Sequence, residues 1–410
     1  MNQNTVKLRR NVKFVAIVLS VLMMVSVLAG CSGTAQPAES SAAASGSQAA
    51  AATSAEASAS APEPQETTSA TITVTDHNGS QVVLPREINR VVVTSIYPMP
   101  AALSMFLGSA DKLVGIHPVS MAAAKSSVLS KVFPEILNAS TGFVQGSDIN
   151  MEELMKLNPD VVIYSASSQA EKDLYKNAGI PAVGISATKW DYDVIKTYDE
   201  WINILSQMFP DQDKSQAVSE YSREIYDFVQ AKVKDIPEEK RTRALFLFTY
   251  DDKAMMTSGK RFFGQYWADA SGGINVAGVL DKEQSVEINM EQVYEWNPDV
   301  IYITNFTPAQ PQDLYTNNIG GDDWSQVKAV KDKKVYKMPL GSYRSYTPGV
   351  DTPLTLLWMA KTMYPDAFAD VDMTQKVKEY YKQIFGIELT DEDVSKMYTP
   401  SSAAGDIKLS

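Results

Sequence analysis

From Thr71 onward the chain alternates short apolar runs with amphipathic stretches, and the spacing of these runs predicts strand and helix in turn. TITVTD and QVVLP flank Asn78-Gly79 and predict a hairpin. RVVVTSI (90–96), LVGI (113–116), the run after Asp160 and PAVGI (181–185) are short and continuous, as in strands buried on both faces. Helices are expected over 100–107, stopped by Gly108, and over about 126–137 and 168–178. Residues 191–235 carry no strand signal. Within them 215–234 puts Val218, Tyr221, Ile225, Phe228 and Val229 at helical spacing, a rod of about 30 Å. Strands return at 243–250, 254–257, after Asp299 and at 334–338, with helices over 262–270 and 312–318. The end is helical: Asp351 or Thr352 caps 353–363, Asp372 caps a helix to about 385, and Thr390 starts a last short one. The pattern predicts an α/β protein with two Rossmann-like lobes, each on a mostly parallel sheet, joined by a single long helix.

One stretch occurs twice. DINMEELMKLNPDVVIY (148–164) and EINMEQVYEWNPDVIYI (287–303) superpose at an offset of 139 residues, an internal duplication. Asn150 and Asn289 are expected N-caps, with Glu153 and Gln292 at the third helical position to complete capping boxes. Ile149 is expected to staple to Leu154, and Ile288 to Val293. Pro159 and Pro298 push the asparagines before them out of helical geometry, so each helix is short and a buried strand follows.

The N-terminal segment is of another kind. Lys7, Arg9, Arg10 and Lys13 precede an apolar run that ends in Leu28-Ala29-Gly30-Cys31, a secretory signal over 1–30. Its last residues resemble a bacterial lipobox, which implies a lipid anchor on Cys31, the chain's one cysteine. Residues 31–70 are almost entirely small and polar and are expected to be a disordered tether. The expected lobes then cover 71–190 and 237–410, with linking helices over 191–236. Loss of residues 1–30 removes four cations and no acid, taking the net charge from −12 to −16, which argues against a nucleic-acid partner. The remainder holds no apolar run of membrane-spanning length, so it is expected to be anchored to the membrane without crossing it.

The paired repeat, the hairpin of form TVTDxxG...VxLP, the RVVV strand and SGGINVAG together resemble the substrate-binding lipoproteins of ABC importers for ferric siderophores, haem and cobalamin. The likeness covers about 71–395. It implies two lobes that hinge slightly about one helix and clamp a ligand between them, with no catalysis and no cofactor, in a monomer at the extracytoplasmic face of the cell membrane. It also implies docking onto an ABC permease dimer through an acid on each lobe, and those positions fall on Glu152 and Glu291. Both stand at the second helical position, where a carboxylate complements the helix dipole.

Ligands of α/β sheets bind beyond the C-terminal ends of the strands. The loops there supply Tyr97, His117, Ser165 and Trp190 in the first lobe, and Tyr250, Arg261, Asn305, Tyr343, Arg344 and Tyr346 in the second. Aromatic faces with a few cations suit an anionic metal chelate such as a siderophore. Arg344 is the strongest cation, in a Tyr-rich loop after a strand. Haem, a corrinoid or a metal oxyanion are alternative cargoes, and a lipid-anchored hydrolase or adhesin is the alternative of another class. Two histidines and one cysteine do not build a Cys/His zinc site or a three-histidine cage. The chain lacks G-x-S-x-G, a P-loop and H-E-x-x-H.

Overall fold

The computed structural model describes residues 70–406; the signal peptide, Cys31 and all of the tether but Ala70 lie outside the described residues. The strands are β1 (Thr71–Thr75), β2 (Gln81–Pro85), β3 (Val91–Val93), β4 (Leu113–Ile116), the two-residue β5 (Val144–Gln145) and β6 (Asp148–Ile149), β7 (Val161–Ser165) and β8 (Ala182–Ile185), then β9 (Arg243–Tyr250), β10 (Met255–Ser258), β11 (Ile274–Asn275), β12 (Ser285–Ile288), β13 (Val300–Ile303) and β14 (Val335–Lys337). β1 and β2 form the expected hairpin, with Gly79 at φ 77° in its turn.

Two sheets carry the fold. In the first, β4-β3-β7-β8 are all parallel. In the second, β9, β13 and β14 are parallel, while β10 and β12 add an antiparallel edge and β11 pairs the start of β9. The duplicated strands β7 and β13 therefore occupy the same place, each between two parallel neighbours. Side chains alternate across each sheet: Val92, Val162 and Tyr164 pack with Leu154 and Tyr175, while Val91, Val93, Val161 and Ile163 join a larger core shared with the C-terminal helices.

The duplicated Asn-Pro-Asp explains itself here. Asn158 and Asn297 take left-handed φ of 43° and 40°, ending each helix. The aspartate then clamps the start of the neighbouring strand. Asp160 N–H donates to the Arg90 carbonyl while its carboxylate accepts from the Asn89 and Arg90 N–H groups at 2.7 and 2.8 Å. Asp299 does the same with Arg243, at 3.0 Å. Each arginine returns a guanidinium bond to the last helical turn, Arg90 to Leu157 O and Arg243 to Trp296 O.

The chain passes between the sheets once, through two helices, Val194–Met208 and Ser215–Val233, the second being the long helix expected over 215–234. Lys214, at the start of the second, reaches Phe106 O in the first lobe, and Gln230 near its end donates to Ala270 O in the second. The helix expected over 126–137 is only a turn over Leu129–Val132 and a 3₁₀ turn over Pro134–Asn138. A full helix instead covers Pro118–Ser126, begun by proline at its first position. Asp351 stands at the N-cap of the helix Thr352–Met363 but makes no side-chain cap bond; its buried carboxylate instead accepts from Ser342 N and Oγ and from Tyr381 OH. That carboxylate fills the space a Cβ on Gly341 would need, which fixes the start of the loop carrying Tyr343, Arg344 and Tyr346.

Candidate functional site

His117, Val119, Tyr97, Tyr343 and Arg344 come together where the lobes meet. His117 caps the helix Pro118–Ser126 by accepting the Val119 N–H on Nδ1 at 3.1 Å. The Val119 carbonyl accepts from Arg344 Nη1 at 3.2 Å, so one peptide residue joins the histidine of the first lobe to the arginine of the second. The Tyr97 ring lies 4.5 Å from that of His117. Tyr343 OH accepts from Arg344 Nη1 at 3.1 Å.

Arg344 is 1% exposed, and none of its hydrogen bonds goes to a carboxylate. Nε donates to Asn305 O at 2.8 Å, Nη2 to Ala404 O at 3.0 Å, and the guanidinium lies over the Phe306 ring at 5.2 Å. Lys337 is its buried neighbour, its Nζ held by the carbonyls of Thr304, Thr307 and Ala309, and burial lowers its pKa to about 7. Lys337 thus rests on carbonyl dipoles, and Arg344 on carbonyls, the Tyr343 hydroxyl and the Phe306 ring. Glu171 faces the group and is itself bound by the Thr94 and Tyr175 hydroxyls; burial and, after it, this charge raise the Tyr97 pKa, while at His117 the charge opposes a larger lowering by burial.

The His117 bond also fixes its tautomer. Burial lowers its pKa to about 4, so the ring is neutral at ordinary pH. A neutral ring that accepts on Nδ1 carries its proton on Nε2. The remaining edge is a donor, suited to an oxygen atom and unsuited to a metal ion.

Beside this polar centre runs an aromatic wall. Phe306, Phe248 and Phe262 are half-buried and successive rings stand 5.1 and 5.3 Å apart. Tyr192 of the linking segment closes on Phe262 and Phe263 at 5.8 and 5.2 Å. Asp191 and Tyr192 hold φ of 49° and 63°, two consecutive strained residues that turn the ring onto the wall. Tyr192 also lines a groove of about 950 Å³, together with Arg241, Lys260, Arg261 and several acids.

Of the residues expected in the cleft, Tyr97, His117, Tyr343 and Arg344 are brought together. Ser165 ends β7, its N–H given to Ser95 Oγ and its hydroxyl 2.8 Å from that of Ser167. Five need correction. Tyr250 lies in the core on the far side of the sheet, its hydroxyl bonded to Asp322 and accepting from Trp324 Nε1. A register shift opposite Phe248 inserts one residue into β9, which reverses the alternation and leaves Phe248 on the cleft side. Arg261 is exposed and paired with Asp281 and Glu283 at 3.2 and 3.1 Å. Trp190 packs edge-on against His77 at 4.8 Å, so Tyr192 takes its place at the wall. Asn305 is buried, its amide spent on Met338 O and Pro339 O, and it serves Arg344 through its carbonyl. Tyr346 is core, with its hydroxyl accepting the Gly264 N–H.

Sequence reasoning missed Tyr192, Phe248 and the turn Ser402–Gly405, whose Ala404 carbonyl covers Arg344. The Asp-Tyr-Asp string before a helix was the one available signal for Tyr192.

Glu152 and Glu291 are both exposed on their repeat helices. Among the described residues no group of three His, Cys, Asp or Glu side chains is placed to hold a metal ion, and no helix is long and apolar enough to cross a membrane.

Residues 93–340 match the model of a family of periplasmic binding proteins. A periplasmic solute-binding protein of Veillonella parvula is 30% identical and superposes with a TM-score of 0.72, over 80% of this chain and 97% of that one. The molybdate-binding protein MolA of Haemophilus influenzae is 26% identical over 76% of this chain and 90% of its own. Helicobacter pylori CeuE, solved with a nickel–histidine complex, is 25% identical with a TM-score of 0.62, over 80% and 99%.

Proposed function

We propose that this chain, which belongs to the periplasmic binding protein family and is the substrate-binding component of an ABC importer, captures an anionic, oxygen-rich iron chelate of the siderophore class. The observation that supports this cargo most is the buried Arg344, which has no carboxylate partner and adjoins the donors Tyr343 and His117. Such a centre favours oxygen anions, and the aromatic wall of Phe306, Phe248, Phe262 and Tyr192 favours flat catecholate-like groups beside them. The tautomer of His117 argues against haem ligated through that residue, since a bond to Nε2 would displace its proton and end the helix cap. Burial raises the Tyr97 pKa, which likewise disfavours a phenolate ligand to iron.

A second reading keeps the site and changes the cargo to a metal oxyanion, as in the relative named for molybdate binding. The same donors serve a tetrahedral anion, but the aromatic wall would then be left without a partner. Under either reading the cargo passes to the permease, with Glu152 and Glu291 docking one lobe each and a lipid on Cys31 keeping the protein at the extracytoplasmic face of the membrane.

Quenching of intrinsic tryptophan fluorescence by ferric catecholate and hydroxamate siderophores, haem, cobalamin and molybdate separates these readings. Saturable quenching by a ferric siderophore, weakened about thirtyfold in Arg344→Lys by loss of a charge-assisted contact, is expected. Binding of molybdate alone would replace the siderophore with the oxyanion, and tight haem binding unaffected by His117→Gln would overturn both.

The histidines also set an acid limit. His77 and His117 both accept backbone N–H groups on Nδ1 and both have pKa values lowered by burial to about 4. Between the unfolded value of 6.5 and that value the unfolded chain binds more protons than the folded one, so stability is fully present above pH 6.5 and falls as pH drops towards 4. Thermal melting followed from pH 8 to 4 should show this slope, and His117→Asn, which keeps a helix cap, should remove about half of it.

A further inference from the structure

We infer that the tips of the two repeat helices are paired apolar anchors for the permease, with Met155 beside Glu152 and Tyr294 beside Glu291. The inference rests on the docking reading above and adds to it the part of the interface that carries affinity. Among the described residues seven large hydrophobic side chains are exposed, and two of them, Met155 at 56% and Tyr294 at 43%, are separated by the same 139 residues as the duplication. Each follows its glutamate by three positions, so acid and apolar group share one face of the helix. The residue between them on the inward face, Leu154 or Val293, is fully buried.

Isolated exposed hydrophobics need no explanation. Here, however, the residue type differs between copies while apolarity and exposure persist in both, always beside an exposed acid. Methionine and tyrosine with a charged rim are what a protein-binding patch is made of. A patch presented twice, once on each lobe, fits a partner that has two equivalent halves, each with an apolar recess edged by cations. The two tips differ in readiness. Tyr294 is held by a hydrogen bond from its hydroxyl to Asp323 O, and Glu291 makes no ion pair among the described residues. Met155, more than half exposed, has no such tie, and Glu152 pairs with Lys156 at 3.0 Å. Tyr294 is therefore the better ordered anchor.

The test is binding of the full mature protein to its cognate permease in lipid nanodiscs, with siderophore quenching and melting temperature measured in parallel. Met155→Ser with Tyr294→Ser should weaken docking about tenfold or more while quenching and melting stay unchanged, with Tyr294→Ser alone causing the larger share. Met155→Leu with Tyr294→Phe should keep docking within about twofold. If the double serine variant docks normally while Glu152→Lys with Glu291→Lys does not, the anchors are wrong and the docking reading survives. If neither pair alters docking, both fall. If the serine variants instead abolish a self-association seen by sedimentation, the patch belongs to a second copy of this chain and the assignment is overturned.

Discussion

The copy at 148–164 and the copy at 287–303 start from nearly the same residues and reach different degrees of completion. In the second, Asn289 and Gln292 exchange both hydrogen bonds of a capping box. In the first, Asn150 accepts from Glu153 N, but its own N–H goes to Phe143 O, and Glu153 turns to Lys156 at 2.8 Å. The expected reciprocal box is therefore half formed. The reason lies in the surroundings of the cap: Phe143, just before the β5–β6 ribbon, supplies a carbonyl acceptor, and Lys156 offers a charge where the second copy has Glu295. Local sequence specified the cap, and its neighbours decided which bonds complete it. The aspartates differ in the opposite sense, since Asp160 holds two strand N–H groups and Asp299 holds one, spending part of its charge on Lys328 at 3.1 Å.

The largest test of this contrast removes the clamps. Asp160→Ala strands two backbone donors and should cost about 2 to 3 kcal/mol in chemical denaturation, against about 1 for Asp299→Ala. Equal losses would mean that the clamps are equivalent and that the bond count does not matter. Next come the caps: Asn289→Ala should cost about 1 kcal/mol and Asn150→Ala somewhat less, because the first cap supports a single bond. A larger loss at Asn150 would show that Phe143 depends on it. Smallest is Lys156→Ala, which frees Glu152 to resemble Glu291. It should leave stability within about 0.5 kcal/mol and tighten permease docking by at most about twofold.

Much of the frame was legible because it depends on neighbours in sequence. The hairpin around Asn78-Gly79, the asparagine N-caps, the helix ends at Asn158 and Asn297 and the helix start at Thr390 all follow from interactions within a few residues. The cleft was legible only in part. Strand-end logic reached Tyr97, His117, Tyr343 and Arg344, yet a register shift in β9 reversed the side of Tyr250, and two strained residues exchanged Trp190 for Tyr192. The helix Pro118–Ser126 was missed although Pro118 announced it, and with it the role of His117 as a cap.

The sequence alone determined that there are two α/β lobes and where the two repeat helices begin, since apolar spacing and capping chemistry act over single turns and strands. It also marked the acids that the duplication repeats. Only the tertiary structure decided that Arg344 is buried without a carboxylate, that His117 presents a proton on Nε2, and that the Ala404 carbonyl lies over the site. Those facts depend on which groups, more than two hundred positions apart in the case of Val119 and Arg344, meet where water is excluded, and burial rather than residue type then sets charge and tautomer.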